Sequence, residues 1–345
     1  FIFFSAASLF GLFQYFCGSQ KTMQKRYLLP ALTGLIVVLL LLPLQFAAER
    51  PMLLLERLFR GGGYLQIAGI AIFASVMEYN MLMPSRSGWW RRFSWSLFSA
   101  VFFLQLTLGL FADKLFLMTG ELHLPVPALI ISGPLYRGEL SVMTLIFLSA
   151  VLLSGPAWCS QYCYFGAIDS AVAGKKAPSR PAGHRLALKN SFLILAIAVA
   201  LLLRISGAGQ GFALAAGIGT GVTGILIILL ISRRRGKMIH CTVWCPVGTL
   251  VSYVKHINPF RMRIESTCIS CQLCSSVCRY DALSPDDIAR LRPGLTCTLC
   301  GDCLAACRHN SITYRFPGVK PDTARKMYIT VTVIIYSLVL AMARI

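Results

Sequence analysis

Apolar residues in this chain come in long runs separated by short polar segments. The runs fall near residues 1–17, 28–47, 64–83, 93–111, 140–157, 188–205, 212–231 and 327–343. A helix of about twenty residues crosses the ~30 Å hydrocarbon core of a bilayer, so the pattern predicts about eight transmembrane helices. The first run is short and the chain opens on Phe1, so the start of the protein is expected to lie upstream. A signal peptide is the rival reading of that run. Its positive charge would precede the apolar stretch, whereas Lys21, Lys25 and Arg26 follow it, which favours a membrane helix. The pattern divides the chain into transmembrane helices over 1–139, a transmembrane hairpin repeat over 140–254, a polar domain over 255–326 and a final helix over 327–345. Within the first unit, Leu122–Ser132 is too short to span and is expected to lie in the interface or to re-enter the membrane.

Composition agrees with a membrane protein: 56% of residues are hydrophobic and 13% charged, too apolar for a soluble domain of this size. The net charge of +20 would suit nucleic acid, but its distribution does not. Basic clusters at Lys21/Lys25/Arg26, Arg86/Arg91/Arg92, Lys175/Lys176/Arg180/Arg185 and Arg233/Arg234/Arg235/Lys237 occupy alternate loops. The loops between them are mixed, with Glu49, Arg50 and Glu56 in one and Asp113, Glu121 and Glu139 in another. That alternation is the positive-inside rule, with attraction to anionic membrane lipid as a secondary effect. It places the N-terminus outside and residues 255–326 in the cytoplasm. Trp89 and Trp90 beside Arg91 read as an interfacial anchor.

Twelve of the 13 cysteines fall into motifs. Cys268, Cys271, Cys274 and Cys278 read C-x2-C-x2-C-x3-C, and Cys297, Cys300, Cys303 and Cys307 repeat the spacing. In two-cluster ferredoxins this run supplies three thiolates to one [4Fe–4S] cluster and the fourth to the other. One cluster would then take Cys268, Cys271, Cys274 and Cys307, and the second Cys297, Cys300, Cys303 and Cys278. Two four-thiolate zinc knuckles are the bland alternative. The expected fold is an all-α membrane bundle with a small α+β two-cluster ferredoxin-like domain. Where such runs usually continue with Pro, this chain has Arg279 and Arg308. A guanidinium beside a cluster favours its reduced state and would raise its potential; arginines turned to headgroups or solvent are the alternative.

The other two motifs are Cys159-x3-Cys163-x2-Gly166 and Cys241-x3-Cys245-x2-Gly248, each near the inner end of a helix hairpin. On a helix, positions i and i+4 share a face, so each pair can present two sulfurs together. Pro246 suits a helix start. The four are a candidate further metal or cluster site; reactive thiols and small buried residues are the alternatives. Cys17 stands alone and reads as packing. None of His123, His184, His240, His256 and His309 falls mid-span, which argues against a bis-histidine haem in the bundle. Glu78, the one acid well inside a span, is a candidate quinone or proton site or else snorkels to the surface. His123 is a weaker candidate for the same role. Gly219, Gly221 and Gly224 match a dinucleotide-loop spacing, but no strand precedes them; Gly217 and Gly221 read as close helix packing.

The order Trp158-Cys159-x3-Cys163, Cys241-x3-Cys245-Pro246 and then two cluster motifs resembles the membrane-bound polyferredoxins of the NapH/NosR type, over roughly residues 140–315. Tyr164 stands where the first C-x3-C motif would carry Pro, and the outer flavin domain of one branch is not within this sequence. The resemblance implies electron transfer in a bacterial cytoplasmic membrane between quinone, or a cytoplasmic donor, and partner redox subunits: a cytochrome, flavoprotein or iron–sulfur protein. A maturation factor that handles or reduces a metal for a respiratory oxidase or reductase is the alternative, and a structural subunit held together by its clusters a third.

Overall fold

The computed structural model describes residues 24–47, 52–117, 124–174 and 185–342. The first expected span, with Cys17, lies outside these residues, as do Glu121, His123 and His184. Seven helices among the described residues are long and apolar enough to cross a membrane, the mark of a multi-pass membrane protein. Long helices are α1 (Gln24–Ala47), α2 (Gly62–Leu82), α3 (Pro84–Phe111) and α5 (Val142–Ser154), the last running on to Tyr162. A short α4 (Leu129–Arg137) precedes α5, and a short α6 (Tyr164–Ala173) follows it. Then come α7 (Arg185–Ile205), α8 (Gln210–Ile227, continuing to Arg235) and a short α9 (Pro246–Val254). Strands β1 (Arg261–Ile264) and β2 (Ile312–Arg315) pair antiparallel, Met262 opposite Tyr314, and bracket the cysteine-rich stretch. The last helix is α10 (Pro321–Met342).

The bundle is organised around α10. Of its apolar window 67% is buried, against 11% for α7. It packs on α1, α2, α5 and β2. Its polar residues are satisfied locally: the hydroxyls of Thr332 and Ser337 donate to the carbonyls of Tyr328 and Val333 one turn back. Arg325 donates to the carbonyls of Leu82 and Met81, closing the C-terminal end of α2. By contrast α7 and α8 expose Ile194, Leu202, Ile205, Phe212 and Leu214, apolar side chains suited to lipid tails.

Three local expectations need correction. The third long helix begins at Pro84, not near residue 93, so Arg91 lies within it rather than in a basic loop. Pro84 opens the helix because its missing N–H costs nothing at that position. Trp89 remains exposed and stacks on Phe93, 5.2 Å between centroids. Secondly, Gly217 and Gly221 do permit close packing, but their partner is the segment after Leu124 rather than another long helix. A Cβ at Gly221 would lie 2.8 Å from Val126 Cγ2, and one at Gly217 3.2 Å from Leu124 Cδ1. Thirdly, Glu78 does not snorkel. It is fully buried in α2, its Oε1 accepts from the Thr330 hydroxyl of α10, and its Oε2 has no partner among the described residues.

Candidate functional site

The two cysteine quartets between β1 and β2 have the same backbone. In each, the residues on either side of the second cysteine are left-handed: Ser270 and Gln272 around Cys271, Leu299 and Gly301 around Cys300. The third residue after each fourth cysteine, Asp281 and Asn310, is left-handed as well. Each non-glycine residue so placed costs roughly 1–2 kcal/mol, and such positions persist only where the surroundings hold them. The third cysteines, Cys274 and Cys303, lie in one-turn helices (Leu273–Val277 and Asp302–Ala306). The fourth cysteines each accept a backbone N–H from four residues on, Ala282 N to Cys278 Sγ at 3.3 Å and Ser311 N to Cys307 Sγ at 3.4 Å.

The chain crosses between the quartets. The electrostatic neighbours of Cys303 are Cys300, Cys297 and Cys278, and those of Cys274 are Cys268 and Cys307. Cys278, Cys297, Cys300 and Cys303 together line one small cavity of about 20 Å³. Burial pushes the thiols of Cys278 and Cys300 up to about 12 and that of Cys303 well above its ordinary value. The other group is nearer solvent, with Cys271 exposed. Four sulfurs around one cavity, with N–H donors aimed at sulfur, suit a polynuclear cluster, in which each thiolate binds its own iron.

The C-x3-C motifs are not α-helical pairs, which corrects the expected i, i+4 geometry. Each spans a five-residue π-helical turn, Trp158–Tyr162 in one and His240–Trp244 in the other. The second cysteine is then the N-cap of the next helix, Cys163 for α6 and Cys245 for α9, both extended (φ −81°, ψ 118° and φ −71°, ψ 117°). The helix N–H groups two and three residues on face each sulfur: Phe165 and Gly166 at Cys163, Val247 and Gly248 at Cys245. The glycine of the motif is there because the carbonyl of the first cysteine comes close. A Cβ at Gly248 would meet Cys241 O at 2.6 Å, and one at Gly166 would meet Cys159 O at 3.1 Å and, closer still, Trp95 Cζ2 at 2.6 Å. Cys241 has Cys163, Cys245 and Cys159 all among its electrostatic neighbours, so the two turns bring four sulfurs together. Burial pushes Cys163 up to about 12 and raises Cys241 and Cys245. Asp169, fully buried, accepts the Cys241 N–H at 3.1 Å, and burial pushes its carboxyl up to about 6. His240 is 4% exposed, has neither ring nitrogen bonded among the described residues, and is held neutral by burial, at about 4.

Arg279 donates to the carbonyls of Ala173 (2.6 Å) and Gly236 (2.8 Å), tying the ends of α6 and of the Arg233–Arg235 turn together. Arg308 is exposed. Other cations are set against the quartets. Arg91 is buried, donates to Asp302 Oδ2 at 2.7 Å and Ser160 O at 3.0 Å, and has Cys300 among its charge neighbours. Lys255 donates to the carbonyls of Gly294 and Cys297, both at 3.3 Å. Lys189, 2% exposed, faces the C-x3-C sulfurs. In sequence Lys189 stands at the edge of the apolar run 188–205, shortly after Arg185, where it looks like a flanking membrane-surface charge. Comparison with protein-family models, with curated proteins and with solved structures finds no match.

Proposed function

We propose that the chain is a membrane electron-transfer protein whose eight cysteines between β1 and β2 hold two [4Fe–4S] clusters, one on Cys268, Cys271, Cys274 and Cys307, the other on Cys297, Cys300, Cys303 and Cys278. The observation that carries this reading is the crossed grouping of the sulfurs on two copies of one backbone loop. Bound there, the clusters supply one-electron oxidation and reduction and make no bond to substrate. The left-handed residues turn each loop around its sulfurs, the N–H groups of Ala282 and Ser311 stabilise the thiolates, and Lys255 and Arg91 offset their charge. Exposed Ile269 next to Cys268 makes the outer group reachable by a partner protein, while the inner group lies against the bundle. The polyferredoxin resemblance, the cytoplasmic placement of this segment and exchange with quinone belong to the same proposal.

The test is anaerobic EPR of the purified protein with a quinol analogue, and with dithionite as the stronger reductant. Cluster signals with quinol support coupling to the quinone pool. Signals with dithionite alone keep the clusters but remove quinol as donor, and their absence under both overturns the reading.

A further inference from the structure

Both C-x3-C turns abut the inner quartet. Tyr280, two residues after Cys278, donates from its hydroxyl to the carbonyl of Cys159 at 2.8 Å. The Ser160 hydroxyl donates to Thr298 O at 3.4 Å, and Arg91 ties Ser160 O to Asp302. From the second turn, Met238 N donates to Arg279 O at 3.1 Å. A small cavity of about 10 Å³ lies in this wall, with Cys159, Cys241 and Lys189 on one side and Tyr280, Cys297 and Thr298 on the other.

Packing alone does not account for the four sulfurs. Lys189 is buried, and its ammonium donates to Ser252 Oγ at 2.8 Å, a bond that brings no compensating charge. Among the described residues it forms no ion pair with a carboxylate, and the potential anions facing it are Cys159, Cys245 and Cys241, with Lys255 adding a second positive charge. A buried ammonium needs a compensating anion, and thiolates held by a metal core supply one. The N–H pairs aimed at Cys163 and Cys245 serve the same charge. A cluster rather than a single redox-inert ion fits the place of these sulfurs, against the wall of the inner ferredoxin-type site of the electron-transfer reading, where one-electron exchange is what a bound group would serve.

We propose that Cys159, Cys163, Cys241 and Cys245 hold a third iron–sulfur cluster, set between the helical bundle and the inner ferredoxin-type site. The proposal rests on the electron-transfer reading, since its role is exchange with that site. One electron moves at a time: one side is oxidised by one as the other is reduced by one, with no bond made and no proton displaced. The third site extends the electron path from the cysteine-rich segment to the membrane edge, with Tyr280 and Thr298 as the intervening wall.

The decisive measurement is iron and acid-labile sulfide per chain in the anaerobically purified full-length protein, beside the EPR spin count of the dithionite-reduced sample. Two [4Fe–4S] clusters account for about eight irons. The proposal expects about two or about four more, according to the type of the third cluster. The extra iron should be lost in Cys163→Ser and in Cys245→Ser, with the signals of the two ferredoxin-type clusters retained. About eight irons in the wild type overturns it, as does one equivalent of copper or zinc lost in those variants without loss of sulfide. Failure of the wider reading looks different: the dithionite-reduced wild type would lack ferredoxin-type signals altogether.

Discussion

Arg91 is the residue on which the two parts of the molecule most depend. Its guanidinium is buried, bonded at once to a carboxylate of the cysteine-rich segment and to a carbonyl of the first C-x3-C turn, and lies 5.6 Å from the Trp95 ring. Removing one member of a buried pair strands the other, at a cost of roughly 3–5 kcal/mol. On the proposed function, charge near the inner quartet also sets the potential of the cluster held there, and the reduced state is the more negative. Arg91→Ala should therefore lower that cluster's midpoint, by on the order of tens of millivolts, and Asp302→Asn should raise it. EPR-monitored redox titration of the two variants checks the opposite signs; shifts in the same direction would mean that disrupted packing rather than charge is being read. In sequence, Arg91 is one of a cluster of basic residues beside two tryptophans, which is how a membrane-surface anchor looks. Its partner is 211 positions away, so no local pattern reveals the pairing. The eight cysteines between the strands are different: their repeated spacing is visible in one dimension, and it carries the cluster proposal.

At the level of elements, apolar run length locates the spans because a twenty-residue run without charge has one stable environment. Ends and turns are less legible, since they depend on what packs against them. The C-x3-C-x2-G motif shows both sides. Its recurrence is visible in sequence, but the π-helical turn is not, and neither is the reason for the glycine. Gly248→Ala would place a methyl 2.6 Å from the Cys241 carbonyl oxygen, on rigid backbone. The expected cost is about 1–3 kcal/mol. At Gly69 in α2 a methyl would meet nothing within 4 Å, so Gly69→Ala should be neutral or stabilising by up to ~1 kcal/mol. Thermal unfolding of both variants in detergent separates them; equal midpoints would remove the steric account of the motif.

For the whole molecule, the question is what α10 does. Hydropathy alone casts it as a return to the membrane that tethers the polar segment. It is long and apolar enough for that return, and it is also buried among α1, α2 and α5. Its Tyr336 bonds to Ser94, its Thr330 to Glu78 and its Arg325 to the end of α2, which makes it the centre of the bundle. A chain ended after Lys320 should consequently lose its protease-resistant, monodisperse form in detergent. A truncated chain that still runs as a single folded species would return α10 to the role of tether.

That arrangement has a consequence for biosynthesis. The ribosome makes the eight cysteines before it makes α10, and chains fold from the N-terminal side as they emerge. For the time needed to synthesise and insert α10, the thiols exist while the bundle has no centre. Tyr314 of β2 and Tyr328 of α10, whose hydroxyls donate to the carbonyls of Leu299 and Thr298 beside the inner quartet, arrive last. If the quartets hold the proposed clusters, their delivery and membrane insertion are ordered against each other by the chain itself, and the thiols are most accessible in that interval.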